Sequence, residues 1–369
     1  MRISLDATGL GSPKTGTAVY LAEILNVWNQ DPSIDHEFVI FASKSARMHL
    51  SGLGLDCRFR FVSAPSHRHL RVLWQQMVMP LHITRLGVDV HWGAGFVLPL
   101  LSTKPMVVTV HDLTFQLFPG VHERIKRYYF PAMIKAAVGK ARTVIAISES
   151  TRRDLHRLIP VSRGKSVVTL LAARSIHDSD LAPMPSEGRG RGRDYVLFVG
   201  TVEPRKNLAR LVSAWKLLDA GARSGVRLIV VGATGWLVDA LVGHLKATDT
   251  IEFRGHVDDV ELAGLLQGAM AFVYPSLYEG FGLPVVEAMS LGIPVLTSNI
   301  GATREVAEGA AILVDPTSEE DIRAGLATLI GDPGLRQSLA TLGRRRAASF
   351  SWARTAEQTL ELIEQAAHA

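Results

Sequence analysis

Short runs rich in valine, isoleucine and phenylalanine alternate with longer amphipathic stretches along the whole chain. In the first half, Phe38–Phe41, Val88–His91, Val107–Val110 and Val144–Ile147 have strand length and little polar interruption. That pattern predicts strands buried on both faces. Gly16–Trp28 and Glu123–Val138 carry apolar residues at helical spacing between them. Strand and helix in strict alternation predict a parallel sheet covered by helices.

The alternation stops at Ala172–Asp194, which holds Pro183, Pro185, scattered serines and the run Gly188-Arg189-Gly190-Arg191-Gly192-Arg193. This is linker composition. It then restarts: strands at Tyr195–Val199, Arg227–Val231, Ile251–Phe253, Ala271–Tyr274 and Pro294–Thr297, with helices at Leu208–Leu218, Trp236–Leu245, Asp259–Ala269 and Val285–Ser290 between them. The expected organisation is an α/β domain over residues 1–171, a linker over 172–194 and a second α/β domain over 195–350. A C-terminal helix, 351–369, carries an amphipathic stretch at Trp352–Gln365 with Leu360 and Ile363 on one face and returns to the first domain. Two doubly wound domains leave a cleft between them, and ligands of such sheets bind beyond the carboxyl ends of the strands.

Composition changes this picture in two places. One cysteine, Cys57, excludes an internal disulfide framework and zinc sites of the CxxC kind. Residues 1–170 hold 21 Lys/Arg against 11 Asp/Glu, whereas the remainder holds 19 against 24. The basic excess therefore sits in the first half, beside stretches that interleave cations with apolar residues, at His67–Trp74 and Arg124–Arg142. Such stretches suit the surface of an anionic membrane. No apolar h-region opens the chain and no run is long enough to span a bilayer. The expectation is a cytoplasmic protein with peripheral contact to the inner face of the membrane. The Gly-Arg run lacks the aromatic residues that nucleic-acid binding needs, so no nucleic-acid partner is expected.

Candidate chemistry follows the strands. After Tyr274 comes Pro275-Ser276-Leu277-Tyr278-Glu279-Gly280-Phe281-Gly282-Leu283-Pro284, leading into a helix that contains Glu287. Gly280 and Gly282 allow close backbone approach, and the amides of Gly282 and Leu283 would open a helix towards an anion. Glu279 and Glu287 can accept hydrogen bonds from hydroxyl pairs on either side. Together they match a diphosphate between two polyols, a nucleotide sugar. After Val199 comes Gly200-Thr201-Val202-Glu203-Pro204-Arg205-Lys206-Asn207, where Arg205 and Lys206 can meet the diphosphate and stabilise it as it leaves. His111, in Thr109-Val110-His111-Asp112-Leu113-Thr114, stands at a strand end and can bond a hydroxyl or move a proton. Gly9–Gly16 is a glycine loop without the Lys-Ser/Thr pair of a P-loop. Gly232-Ala233-Thr234-Gly235 lacks the full dinucleotide fingerprint and reads as a tight turn. His256, following a strand at Gly255, could lie beside a base or be a plain loop histidine.

Taken together these motifs resemble the retaining GT-B glycosyltransferases of family GT4. Glu279 and Glu287 have the E-x7-E spacing, and Glu279–Pro284 is similar to the family's core motif. Glu203–Asn207 resembles the turn of its mannosyl- and rhamnosyltransferases, Val110–Thr114 its first-domain histidine motif, and Phe350-Ser351-Trp352 its C-terminal signature. The resemblance covers nearly the whole chain. It implies a GT-B fold of two Rossmann-like domains and transfer of a hexose to a glycan or lipid-linked acceptor in surface glycan synthesis. A GDP-sugar donor is favoured, with a UDP-sugar as the alternative. It further implies Arg205 and Lys206 on the diphosphate, Glu279 on the transferred sugar, Glu287 on the ribose, His111 near the reacting carbon and Gly16 under the phosphates. Gly200, His256 and the loop Gly280, Phe281, Gly282 and Leu283 complete the donor-binding set, and no metal or other cofactor is expected. The first loop departs from the family pattern, since Ser12-Pro13-Lys14-Thr15-Gly16 stands where relatives have a compact Gly-rich turn. An inactive sugar-binding scaffold of the same fold, and a sugar-nucleotide epimerase, are the competing classes.

Overall fold

The computed structural model describes residues 1–10, 15–118, 120, 124–174, 195–223, 225–233 and 249–368. These form two compact units: Met1–Leu171 with Ser351–Ala369, and Ala172–Phe350.

The first unit is built on seven strands: β1 (Arg2–Asp6), β2 (Glu37–Ala42), β3 (Phe59–Ser63), β4 (Val90–Gly93), β5 (Met106–Val110), β6 (Thr143–Ala146) and β7 (Ser166–Val168). They run parallel in the order β3-β2-β1-β4-β5-β6-β7. Central strands such as β5 are buried along their length, as parallel sheets covered on both faces require. The C-terminal helix Trp352–His368 belongs to this unit. It is fastened by Trp28 Nε1 donating to the Ala356 carbonyl at 3.1 Å and Arg142 donating to the Ala366 carbonyl at 2.8 Å. Its buried face is Thr355, Ala356, Thr359, Ile363 and Ala366, while Leu360 lies at the margin. Small residues on that face let the helix sit close to the sheet.

The second unit has six parallel strands: β8 (Tyr195–Val199), β9 (Arg227–Val231), β10 (Ile251–Gly255), β11 (Ala271–Tyr274), β12 (Val295–Ser298) and β13 (Ile312–Val314). Their order is β10-β9-β8-β11-β12-β13. Both units are therefore doubly wound, Rossmann-like sheets. The order reverses between β1 and β4 in the first and between β8 and β11 in the second. Such switch points open a crevice at the carboxyl ends of the two strands, so the segments after β8 and β11 are brought side by side.

Several expected elements move. The strand expected at Val88–His91 is Val90–Gly93. Val88 instead donates to the Ile83 carbonyl, and Gly87 takes φ +63° to close the preceding helix. Strands β3, β7 and β13 were not foreseen. All three lie at sheet edges: β3 is interrupted by Arg60, and β7 and β13 are only 3 residues each and partly exposed. Helices Gly301–Ala307, Glu319–Gly331 and Pro333–Ala347 complete the second unit. The helix expected at Glu123–Val138 is described over Arg124–Lys140. The helix expected at Trp236–Leu245, the linker from 175 onward and Ser12–Lys14 lie outside the described residues.

Gly232 shows why the turn after β9 needs glycine. A Cβ there would stand 2.0 Å from the Gly200 carbonyl oxygen. The β8 and β9 turns thus approach each other backbone to backbone.

Candidate active site

The two segments that follow β8 and β11 are knitted into one body. The short turn Pro204–Lys206 ends at Asn207, the one non-glycine residue with positive φ among the described residues, at 61°. Its side-chain amide donates to the Pro275 carbonyl at 2.9 Å and the Pro316 carbonyl at 2.6 Å. These two bonds hold a backbone conformation that is otherwise unfavourable for a residue with a Cβ. Leu277 N–H adds a bond to the Arg205 carbonyl at 2.9 Å.

On this scaffold a charged cluster forms. Glu279 accepts from Lys206 Nζ at 2.8 Å and pairs with Arg205 at 2.9 Å. Arg205 also pairs with Glu203 at 2.6 Å and donates to the Tyr278 carbonyl at 2.7 Å. Ser276 Oγ donates to Glu279 at 2.7 Å, and Lys206 Nζ donates to the Tyr274 hydroxyl. The four charged side chains are only 9–15% exposed. Burial alone would raise the Glu279 carboxyl, but Lys206 and Arg205 outweigh it and hold it at about 2. Burial pulls Lys206 down, opposed by Glu279. Two cations and two carboxylates balance, so a buried group of this kind persists without an uncompensated charge.

Next to the cluster, Gly282 takes φ +107° and opens the helix Leu283–Ser290. The N–H groups of Gly282 and Leu283 make no hydrogen bond among the described residues, as is usual for a helix start. They offer an anion two donors and the positive end of the helix. Phe281 contributes only backbone here. Its ring is 2% exposed and packs edge-on against Phe350 at 5.6 Å. Glu287, on the same helix, pairs with Arg174 at 3.1 Å. Gly200 lies beside Tyr274, where an added Cβ would stand 3.6 Å from the ring.

The structure thus brings together Gly200, Arg205, Lys206, Glu279, Gly280, Gly282 and Leu283, with Glu287 on the adjoining helix. His256 is exposed and follows β10, where the Gly255 carbonyl accepts from Gly232 N–H at 2.7 Å beside the Gly200 turn. Gly16 and His111 belong to the first unit. Gly16 begins the helix Gly16–Gln30, whose N-cap Thr15 accepts from Ala18 N–H. His111 follows β5, with Nε2 bonded to the Ala94 carbonyl at 2.8 Å and its ring edge-on to Tyr20 at 5.0 Å. That bond makes Nε2 the protonated nitrogen and Nδ1 the acceptor. Burial lowers the His111 pKa from its ordinary value, which keeps the ring neutral.

Sequence reasoning missed Tyr274 and Ser276 as members of the cluster, Asn207 as its clamp and Arg174 as the partner of Glu287. Tyr274, Ser276 and Asn207 stood inside the quoted motifs, but nothing in their spacing shows which side chains converge. Among the described residues no group of three or more metal-ligating side chains converges.

Comparisons with known proteins agree with this architecture. The profile of "Glycosyl transferases group 1" matches residues 184–346, and that of "Glycosyltransferase Family 4" matches residues 15–169. The chain is 32% identical over 278 residues to "O-antigen chain mannosyltransferase B" of Escherichia coli, covering 73% of each chain. It is 32% identical over 287 residues to "MMP alpha-(1->4)-mannosyltransferase" of Mycolicibacterium hassiacum, covering 74% of this chain and 68% of that one. Among solved structures it resembles WaaG, "a glycosyltransferase involved in lipopolysaccharide biosynthesis". The TM-score is 0.73 at 17% identity, with 98% of this chain and 99% of that one covered. It also resembles sucrose-phosphate synthase from Thermosynechococcus elongatus, with TM-score 0.76 at 20% identity, covering 99% and 98%. Two Rossmann-like units, matching profiles over both and sequence identity to mannosyltransferases lead to one conclusion: the chain belongs to glycosyltransferase family 4 and is a glycosyltransferase of the GT-B fold.

Proposed function

We propose that this glycosyltransferase moves mannose, or a related hexose such as rhamnose, from a GDP-sugar to a lipid-linked or polysaccharide acceptor, with retention of anomeric configuration. The observation that carries this is the buried Arg205–Lys206–Glu279 cluster beside the Gly282 and Leu283 amides. Two cations and the amides of a helix start suit a diphosphate, and Glu279 and Glu287 suit the hydroxyls on either side of it. The mannosyltransferases among the relatives, two of them O-antigen chain enzymes, support the sugar and the acceptor class. A UDP-sugar is the alternative donor.

In the proposed reaction the acceptor oxygen bonds to the sugar's anomeric carbon as the bond to the diphosphate breaks on the same face. The acceptor proton passes to the departing phosphate oxygen. Arg205 and Lys206 stabilise the diphosphate charge that develops, so no metal ion is required. Glu279 orients the transferred sugar, Glu287 meets the ribose, and neutral His111 offers Nδ1 to a hydroxyl. The reaction is tested by incubating the protein with GDP-mannose and a lipid-linked acceptor fraction, then determining the new linkage by NMR. An α-linkage from the α-configured donor, unchanged by a chelator, is expected. A β-linkage overturns retention.

We further propose peripheral contact with an anionic membrane. Leu70, Leu73, Met77 and Leu81 fall on successive turns of helices Arg68–Met77 and Met79–Arg85, and each is 53–61% exposed. Residues 57–88 contain Arg58, Arg60, Arg68, Arg71 and Arg85 and no Asp or Glu. An exposed apolar stripe in a segment whose own charged residues are all basic suits lipid with negative headgroups. No helix among the described residues is long and apolar enough to cross a membrane. Flotation with phosphatidylglycerol vesicles at low salt is expected to carry the protein, and Leu73→Glu with Met77→Glu to abolish it. Equal flotation with neutral vesicles contradicts the electrostatic half of the proposal.

A further inference from the structure

We propose that Tyr274 is a positioning residue of the donor site, its hydroxyl accepting from the same Lys206 ammonium that Glu279 holds, so that the ammonium is aimed at the diphosphate. This rests on the cluster being the donor-diphosphate site.

Tyr274 is the last residue of β11 and is fully buried. Its ring is fixed on three sides: Phe198 at 5.8 Å, Phe272 at 5.9 Å and the backbone of Gly200. Packing alone would be served as well by phenylalanine, and a buried hydroxyl is unfavourable unless bonded. Here it is bonded: Lys206 Nζ donates to it, and the same ammonium donates to Glu279 at 2.8 Å. A phenol oxygen can accept as well as donate, so it takes an N–H from the ammonium.

The Lys206–Tyr274 bond matters because lysine is long and its ammonium rotates freely. With Tyr274 and Glu279 accepting two of the three N–H groups, the third has a set direction. The groups facing Lys206 are Glu279, Tyr274, Arg205 and Glu203. Burial and Arg205 disfavour its charge, while Glu279 and Glu203 favour it. An acceptor hydroxyl adds to the favourable side, so its removal lets Lys206 lose its proton at lower pH.

The test compares wild type with Tyr274→Phe, Lys206→Met and the double variant, each shown to be folded at the assay temperature by circular dichroism. Turnover and donor KM are followed from neutral to alkaline pH, and binding of GDP and UDP by calorimetry. Tyr274→Phe is expected to lower kcat roughly tenfold, the scale of one hydrogen bond to a charged group, and to move the alkaline limb to lower pH. In the Lys206→Met background the same change is expected to have no further effect, because the tyrosine acts through the lysine. If Tyr274→Phe fails to fold, 3-fluorotyrosine at 274 keeps the shape, weakens the acceptor and is expected to shift the limb the same way. Wild-type turnover and pH limb in the variant, or an equal effect in both backgrounds, overturns the assignment. Wild-type protein that binds neither nucleotide overturns the donor-site reading, and the proposal with it.

Discussion

Replacing Lys206 with methionine is expected to lower turnover roughly a thousandfold, the upper end of what one preorganised donor to a developing charge contributes. Methionine keeps the apolar stem but removes the ammonium that Tyr274 and Glu279 hold. Two effects combine. The departing diphosphate loses a stabilising positive charge, and Glu279 is left with Arg205 as its remaining cation in the cluster. The site then carries a net negative charge and repels the donor, so donor KM rises as well. Arg205→Ala is expected to lose about a hundredfold. Steady-state kinetics on folded protein decide the matter, and near-normal turnover in Lys206→Met removes the lysine from the chemistry.

Glu279→Gln acts on stability as well as on turnover. The glutamate's pKa falls from an ordinary 4.5 to about 2 on folding. A carboxyl depressed in the folded state contributes stability above its unfolded pKa, and that contribution fades as pH falls from about 4.5 towards 2. Its size at neutral pH is about 3 kcal/mol, and an unpaired buried cation left behind is of the same order. At pH 7 Glu279→Gln should therefore lower the unfolding free energy of the second unit by about 3 kcal/mol. The gap from wild type should close on acidification across that window. A constant gap would show that the ion pair is not its source. Turnover should fall at least as far as for Arg205→Ala, since glutamine cannot hold both cations.

The fold class was legible because its strongest signals lie in the sheet centres. Tyr195–Val199, Arg227–Val231 and Ala271–Tyr274 read directly from the sequence as strands, and the structure gives those bounds. The edge strands β3, β7 and β13 were illegible, because Arg60 interrupts the first and the other two are only 3 residues long. The motifs around Arg205 and Glu279 were legible as chemistry, but their contact was not. Lys206 and Glu279 are 73 residues apart. What joins them is the reversal of strand order between β8 and β11, a property of the sheet rather than of either motif. The same holds for Glu287, where Arg174 comes from the segment read as linker. The burial of the Phe281 ring against Phe350 was likewise not readable from its glycine-rich loop.

The most direct test of the central claim, that the second unit is a nucleotide-sugar site built on Arg205, Lys206 and Glu279, is calorimetric titration of the protein with GDP, UDP, dTDP and their common sugar conjugates. Selective binding of GDP and GDP-mannose or GDP-rhamnose is expected, weakened at least tenfold in Lys206→Met. Folded wild-type protein that binds none of the panel, or binds it equally well without Lys206, contradicts it.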